Sequence, residues 1–276
     1  MTREHFDNIV QKAAKECARE YMKGDTSMNR NFKLDISSSG LHILAMGFML
    51  CDHMWAMVFP AQEWLTCLGR IAYPIFAFMV VEGYTYTHNL RRYILRMLCW
   101  AVLTEIPFNL MYGDSIFYPY HQNVLWTFLL SLLLMSLIER CRLRFKAGVA
   151  IPLSAGLAAV GFVLGYAAMT DYYGVGILTV LMFYFFRGRT WKKRLLQFLC
   201  LYFLNVKMLG GYNYIFQLFG HEVEIAQQGF ALLALFPIWL YQGRQGIRNR
   251  IFQYFCYAFY PVHMLLLFVV REWMLR

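Results

Sequence analysis

Long apolar blocks separated by short polar connections run through most of this 276-residue chain. A helix needs about 20 mainly apolar residues to cross a hydrocarbon layer of about 30 Å. That ruler predicts nine spans, at about 41–58, 64–87, 90–111, 122–138, 148–168, 173–186, 193–209, 226–241 and 253–273. The sixth is short for a crossing. The blocks are continuous and do not alternate with period two, which excludes an outer-membrane type of barrel. The expected fold class is therefore all-α, a polytopic transmembrane helical bundle of about nine spans. Residues 1–39 read differently. Phe6, Ile9, Val10, Ala13, Cys17 and Tyr21 recur at helical spacing among Lys12, Lys15, Glu16, Arg19 and Glu20. This predicts an amphipathic segment lying on the membrane surface. Two units follow: residues 1–39 as a surface segment and residues 40–276 as the membrane domain. No apolar core of a secretory signal precedes the first span.

Composition agrees with the pattern. Hydrophobic residues make up 59% and charged residues 15%, against about 25% charged in soluble domains. A water-soluble globule and a disordered chain are both excluded. The net charge is +10, which raises the question of nucleic acid until the cations are placed. Seven precede the first span. Arg91, Arg92 and Arg96 follow the second, and Arg140, Arg142, Arg144 and Lys146 follow the fourth. Arg187, Arg189, Lys192, Lys193 and Arg194 follow the sixth, and Arg244, Arg248 and Arg250 follow the eighth. These are 22 of the 26 Lys and Arg, and the alternate connections hold none. The positive-inside rule then places the N-terminus in the cytoplasm. The charge serves orientation, and no nucleic-acid role is expected. The seven cysteines are scattered without a C-x-x-C pair, so neither a disulfide framework nor a zinc site is indicated. No metal is expected, because no pair of histidines shares a ligand spacing on one helix face.

Ionisable residues inside spans carry the chemistry, since each costs roughly 2.5–3.5 kcal/mol at the bilayer centre on insertion scales. The set is His42, Asp52, His53, Arg70, Glu82, Glu105 and His263, with Asp171 at a span boundary. His42 and His53 are eleven residues apart, close to three helical turns. They share one stripe and are separated by about 16 Å along the axis. Asp52 points about 100° away from His53, so a group on another helix is expected to partner the imidazole. Arg70 falls at the matching depth, with Tyr73 and Pro74 one turn later, and Glu105 lies at that depth too. Asp52, His53, Arg70 and Glu105 are thus expected to meet. An Asp52–Arg70 pair that only fixes helix packing stays open as the alternative. His88, His121 and His221 fall in or near connections and read as surface residues.

Several stretches carry a family resemblance. They are LHILAMGFMLCDH (41–53), LGRIAYPIFAFMVVEGY (68–84), RRYILR (91–96) and EIPFN (105–109). Weaker echoes are QNVLWT (122–127), DYYGVG (171–176) and FYPVH (259–263). Together they resemble the TraX family over nearly all of residues 40–270. The resemblance implies a protein of the bacterial cytoplasmic (inner) membrane, related to conjugal-transfer pilin acetylases and to the wider membrane acyltransferases. Such proteins move acyl groups from cytoplasmic acyl-CoA, here acetyl-CoA, to an acceptor at the far side. In the family pattern a basic residue lies ahead of the histidine on the first helix; here that position is His42. The implied catalytic set is His53, Asp52, Arg70 and Glu105. His42, Glu82, Arg91, Arg92 and Arg96 would hold the acyl-CoA, and Tyr73, Asp171, Tyr172 and His263 would meet the acceptor. That acceptor is a pilin or other peptide, a glycan or a lipid. A proton-coupled small-molecule transporter using the same buried acids and histidines is the second expectation.

Overall fold

The computed structural model describes residues 35–218, 221–247 and 249–276. The surface helix expected within residues 1–34, and Arg248, lie outside the described residues. Helix α1 is Ser38–Met57, and α2 (Glu63–Gly69) and α3 (Ala72–Tyr86) are the two parts of one broken span. Then come α4 (Leu90–Gly113), α5 (Val124–Arg144), α6 (Ala147–Ala167) and α7 (Tyr173–Phe185). Helix α8 (Trp191–Tyr202) runs on as a π-helical segment, Phe203–Leu209. After a hairpin, the 3-10 segment Gln227–Ala234 leads into α9 (Leu235–Leu240), and α10 is Arg250–Met274. Capping side chains set many of these starts. Ser37, Asn89, Asn123, Thr190 and Asn249 each accept a hydrogen bond from a backbone N–H of the first turn. Each such cap is worth about 1 kcal/mol.

The all-α expectation holds, and helical segments fall where the apolar blocks predict them. Membrane-length helices account for part of the nine expected spans. Among the described residues, five helices are long and apolar enough to cross a membrane: Glu63–Tyr86, Leu90–Gly113, Val124–Arg144, Ala147–Ala167 and Arg250–Met274. The blocks at 173–186 and 226–241 form shorter apolar helices. Thirteen residues in α7 reach only about 20 Å, short of the hydrocarbon thickness. The connection after residue 210 holds a further difference. Strands β1 (Asn213–Leu218) and β2 (His221–Ala226) pair antiparallel, with Asn213 opposite Ala226.

The core is built by α3, α5 and α7, whose Ile75, Val81, Leu132, Met135, Ile177 and Val180 are fully enclosed. Helix α6 packs outside them and crosses α7 closely. A Cβ on Gly165 would lie 2.7 Å from the Gly174 backbone, so the crossing depends on small residues. The cation-bearing connections come together at one end of the bundle. Ser38 N donates to the Arg244 carbonyl at 2.8 Å, and Arg189 Nη2 donates to the Tyr241 carbonyl at 3.4 Å. The connections 114–123 and 169–172 join at the opposite end, where Gln122 N donates to the Met169 carbonyl at 2.9 Å.

Candidate functional site

The break between α2 and α3 positions the first charged pair. Pro74 has no N–H to offer the carbonyl of Arg70, four residues earlier, so a helix bond is missing where α2 gives way to α3. Arg70 caps α2 at the break and turns toward α1. Its Nη2 is paired with Asp52 Oδ1 and donates to Thr66 Oγ1 at 2.9 Å, while its Nε donates to the Thr66 carbonyl at 3.3 Å. Thr66 Oγ1 in turn donates to Asp52 Oδ1 at 2.8 Å. The Asp52 and Arg70 side chains keep only 17% and 15% of their surface. Gly69 makes the approach possible, since a Cβ there would lie 2.3 Å from Asp52 Cβ. The expected Asp52–Arg70 pair is therefore present. Arg70 Nη1 makes no hydrogen bond among the described residues.

His53 turns the other way, toward α10. Its Nδ1 lies 2.6 Å from Nε2 of His263, and both histidines are buried. The partner of His53 is thus His263, whereas Arg70 had been the sequence candidate; one helical step separates Asp52 from His53 and sends them to different neighbours. Tyr112 and Tyr260 border the imidazole, with ring centroids at 6.4 and 6.0 Å.

Asp52, His53 and Arg70 line a chamber of about 320 Å³ with Tyr73, Tyr112, His121, Asp171, Tyr172 and Gln228. Tyr73 is sandwiched between Tyr172, at 3.9 Å between centroids, and Phe128, at 5.7 Å. Tyr172 has φ +61°, and Met169 and Tyr173 also have positive φ. Such backbone costs roughly 1–3 kcal/mol at a non-glycine residue and persists where surrounding contacts enforce it. Three buried polar atoms on the chamber wall have no hydrogen-bond partner among the described residues: Trp55 Nε1, the Tyr73 hydroxyl and Gln228 Oε1. Unpaired buried polar groups are uncommon in native interiors, and several facing one cavity mark a place for a polar ligand.

A second chamber, of about 470 Å³, opens toward the basic end beside His42, Ser38, Tyr93, Gln245, Arg250 and Tyr257. Both chambers are bordered by Met49, Phe76, Val124, Phe128 and Tyr260, so they adjoin. His42 Nδ1 donates to the Ser38 carbonyl at 3.0 Å. Arg96 stands over the Tyr93 ring at 5.8 Å, beside this chamber, while Arg91 and Arg92 are exposed at the start of α4.

Three sequence assignments change. Glu105 lines neither chamber. Its Oε1 accepts from Trp126 Nε1 at 2.6 Å and from Asn123, tying α4 to the start of α5. Its position around the helix axis faces α5, so equal depth did not mean a shared site. Glu82 also lines neither chamber. It is buried against Arg187, at 2.7 Å, and serves the packing of the basic end. His121, expected on the surface, instead lines the chamber with its Nε2 3.4 Å from Asp171 Oδ1. Its position beside Gln122, whose backbone joins 169–171, is visible only once those two connections pair. Thr66, Trp55, Tyr112, Tyr260 and Gln228 also escaped the sequence reading, because nothing in an apolar block separates a packing residue from a wall residue.

Membrane-length helices around a chamber lined in part by charged and polar side chains mark a membrane protein. A family model described as TraX protein matches residues 37–271, and the chain belongs to the TraX family. It is similar to the probable fimbrial assembly protein FimC, serogroup H1, of Dichelobacter nodosus. The two are 28% identical over 254 residues, covering 87% of this chain and 97% of that protein. No solved structure matches the chain.

Proposed function

We propose that this protein transfers an acyl group, acetyl in the simplest case, from acyl-CoA at the basic end to an amine or hydroxyl acceptor at the opposite end. The carrying observation is the pair of adjoining chambers that link His42 to His53 through one shared wall. The cations at the His42 end supply phosphate partners, with Arg250 on the chamber wall and Arg96 beside it. The positive-inside rule makes that end cytoplasmic, in an inner-membrane protein with its N-terminus inside. A thin pantetheine-like arm would pass along Met49, Phe76 and Phe128, the apolar side chains that border both chambers.

His53 acts as general base. It takes the proton from the acceptor as the acceptor nitrogen or oxygen bonds to the thioester carbonyl carbon. The C–S bond then breaks, and the CoA thiolate leaves with that proton. Arg70 Nη1 faces the developing oxyanion, and Asp52 with Thr66 holds the guanidinium in place. Asp171, Tyr172 and Tyr73 border the acceptor side. The relative's name, fimbrial assembly protein, favours a pilin-like peptide among acceptors that include glycans and lipids. The test is transfer from radiolabelled acetyl-CoA in membranes containing the protein. His53→Ala abolishes labelling while the purified variant still unfolds in one cooperative transition. Full labelling by that variant refutes the assignment.

A further inference from the structure

We infer that His263 is the positioning residue that holds His53 in the tautomer with its proton on Nδ1, leaving Nε2 bare as the base. The chain of reasoning starts at a backbone carbonyl. His263 Nδ1 lies 2.6 Å from the Phe259 carbonyl oxygen. That oxygen only accepts, so His263 Nδ1 carries a hydrogen. A neutral imidazole has one N–H, and its other nitrogen holds a lone pair. His263 Nε2 is therefore an acceptor, and it faces His53 Nδ1 at 2.6 Å. Two lone pairs at that distance would repel, so His53 Nδ1 carries the hydrogen. The ring planes are within 8° of each other with centroids 4.8 Å apart. Given the short nitrogen–nitrogen distance, the rings meet edge to edge in nearly one plane, the orientation in which lone pair and N–H align. His53 Nε2 makes no hydrogen bond among the described residues, and His53 lines the chamber.

Other groups do not take this role. Asp52 is engaged by Arg70 and Thr66. Tyr112 and Tyr260 meet the His53 ring as aromatic neighbours. His263, expected from the sequence to meet the acceptor, is thus a holder of the base. The arrangement follows the general logic of a base whose far nitrogen is fixed by a third group, with a neutral imidazole where a carboxylate often stands.

The catalytic meaning rests on the acyl-transfer reading, but the tautomer does not, and one experiment separates them. The full chain, with 15N-labelled histidine rings, is examined by NMR in lipid nanodiscs, and His53 is assigned by its loss in His53→Gln. Wild type shows a protonated Nδ1 and a bare Nε2 on His53. His263→Gln keeps that state, because the amide oxygen accepts from Nδ1–H. His263→Phe, which fills the space without an acceptor, loses it. Acetyl transfer from labelled acetyl-CoA falls at least about 100-fold in His263→Phe and returns to within about tenfold of wild type in His263→Gln. A bare Nδ1 on His53 in wild type overturns the inference, as does a His263→Phe protein with unchanged tautomer and rate. If His263→Phe does not fold, the wild-type spectrum and His263→Gln decide alone. Expected tautomers without transfer by any form, wild type included, refute the acyl-transfer reading and leave the positioning role standing.

Discussion

Gly69→Ala is the sharpest test of how the charged pair is held. The added Cβ lies 2.3 Å from Asp52 Cβ and 2.5 Å from its Oδ1, where ordinary contact begins at 3.4 Å. Either α1 and α2 separate by about 1 Å or Asp52 rotates away. A shift of that size stretches the 2.8 Å bond from Thr66 beyond hydrogen-bond range. Overpacking alone costs about 1–3 kcal/mol. If the Asp52–Arg70 pair also parts, a buried guanidinium is left without its carboxylate, at about 3–5 kcal/mol. At roughly 2–4 °C per kcal/mol for a chain of this size, the melting temperature falls by at least several degrees. Gly47→Ala is the internal control. It lies on α1 with no atom within 4 Å of its added Cβ, and it should hold or slightly raise stability, by about 0.5–1 kcal/mol. Thermal unfolding of the detergent-purified proteins, with acetyl transfer measured in parallel, gives both readings. A Gly69→Ala protein as stable and active as Gly47→Ala would refute the reasoning, because the approach of Asp52 to α2 would then not matter.

Other substitutions test the remaining assignments. Glu105→Leu should cost about 1–3 kcal/mol by orphaning Trp126 Nε1 and Asn123, yet keep most acetyl transfer; loss as complete as in His53→Ala would return Glu105 to the catalytic set. Glu82→Gln removes the carboxylate from the buried pair with Arg187 and should lower stability by about 3 kcal/mol, with the apparent KM for acetyl-CoA unchanged; a selective rise in KM would restore its cofactor role. Gly176→Ala places a Cβ 2.8 Å from the Tyr73 hydroxyl and should disturb the Tyr73–Tyr172 stack, raising the KM for acceptor more than that for acetyl-CoA in initial-rate measurements. Cys256 lines the larger chamber, so acetyl-CoA should slow its alkylation by maleimide, read by peptide mass spectrometry, while the exposed Cys99 reacts at its original rate.

Much of the helical frame was legible because apolar length and capping residues act locally. The apolar blocks that begin near residues 90, 122 and 253 became helices whose first turns are capped by Asn89, Asn123 and Asn249. The Asp52–Arg70 pair was legible too, since depth along two adjacent antiparallel helices follows from residue count. What failed was rotation about the helix axis. Depth placed Glu105 beside His53, but its azimuth turned it to α5, and no period in an all-apolar block reports azimuth when lipid and core are equally apolar. The same blindness assigned Arg70 to His53 when His263 stood nearer. His121 and the strained backbone at Tyr172 were hidden for another reason: they owe their places to two connections that meet only after the helices pack.

The two imidazoles stand 210 residues apart in the chain, on the first and last described helices. At roughly 5–20 residues per second, a ribosome needs about 10–40 s to travel between them. During that interval α1 already carries His53 and Asp52, and α10, which seals the chamber on one side, has not yet been made. Nascent protein should therefore be inert through most of its synthesis and become competent in a single late step. A supplied α10 peptide should switch on a chain arrested before residue 250, which makes the newest segment of each molecule its own timer.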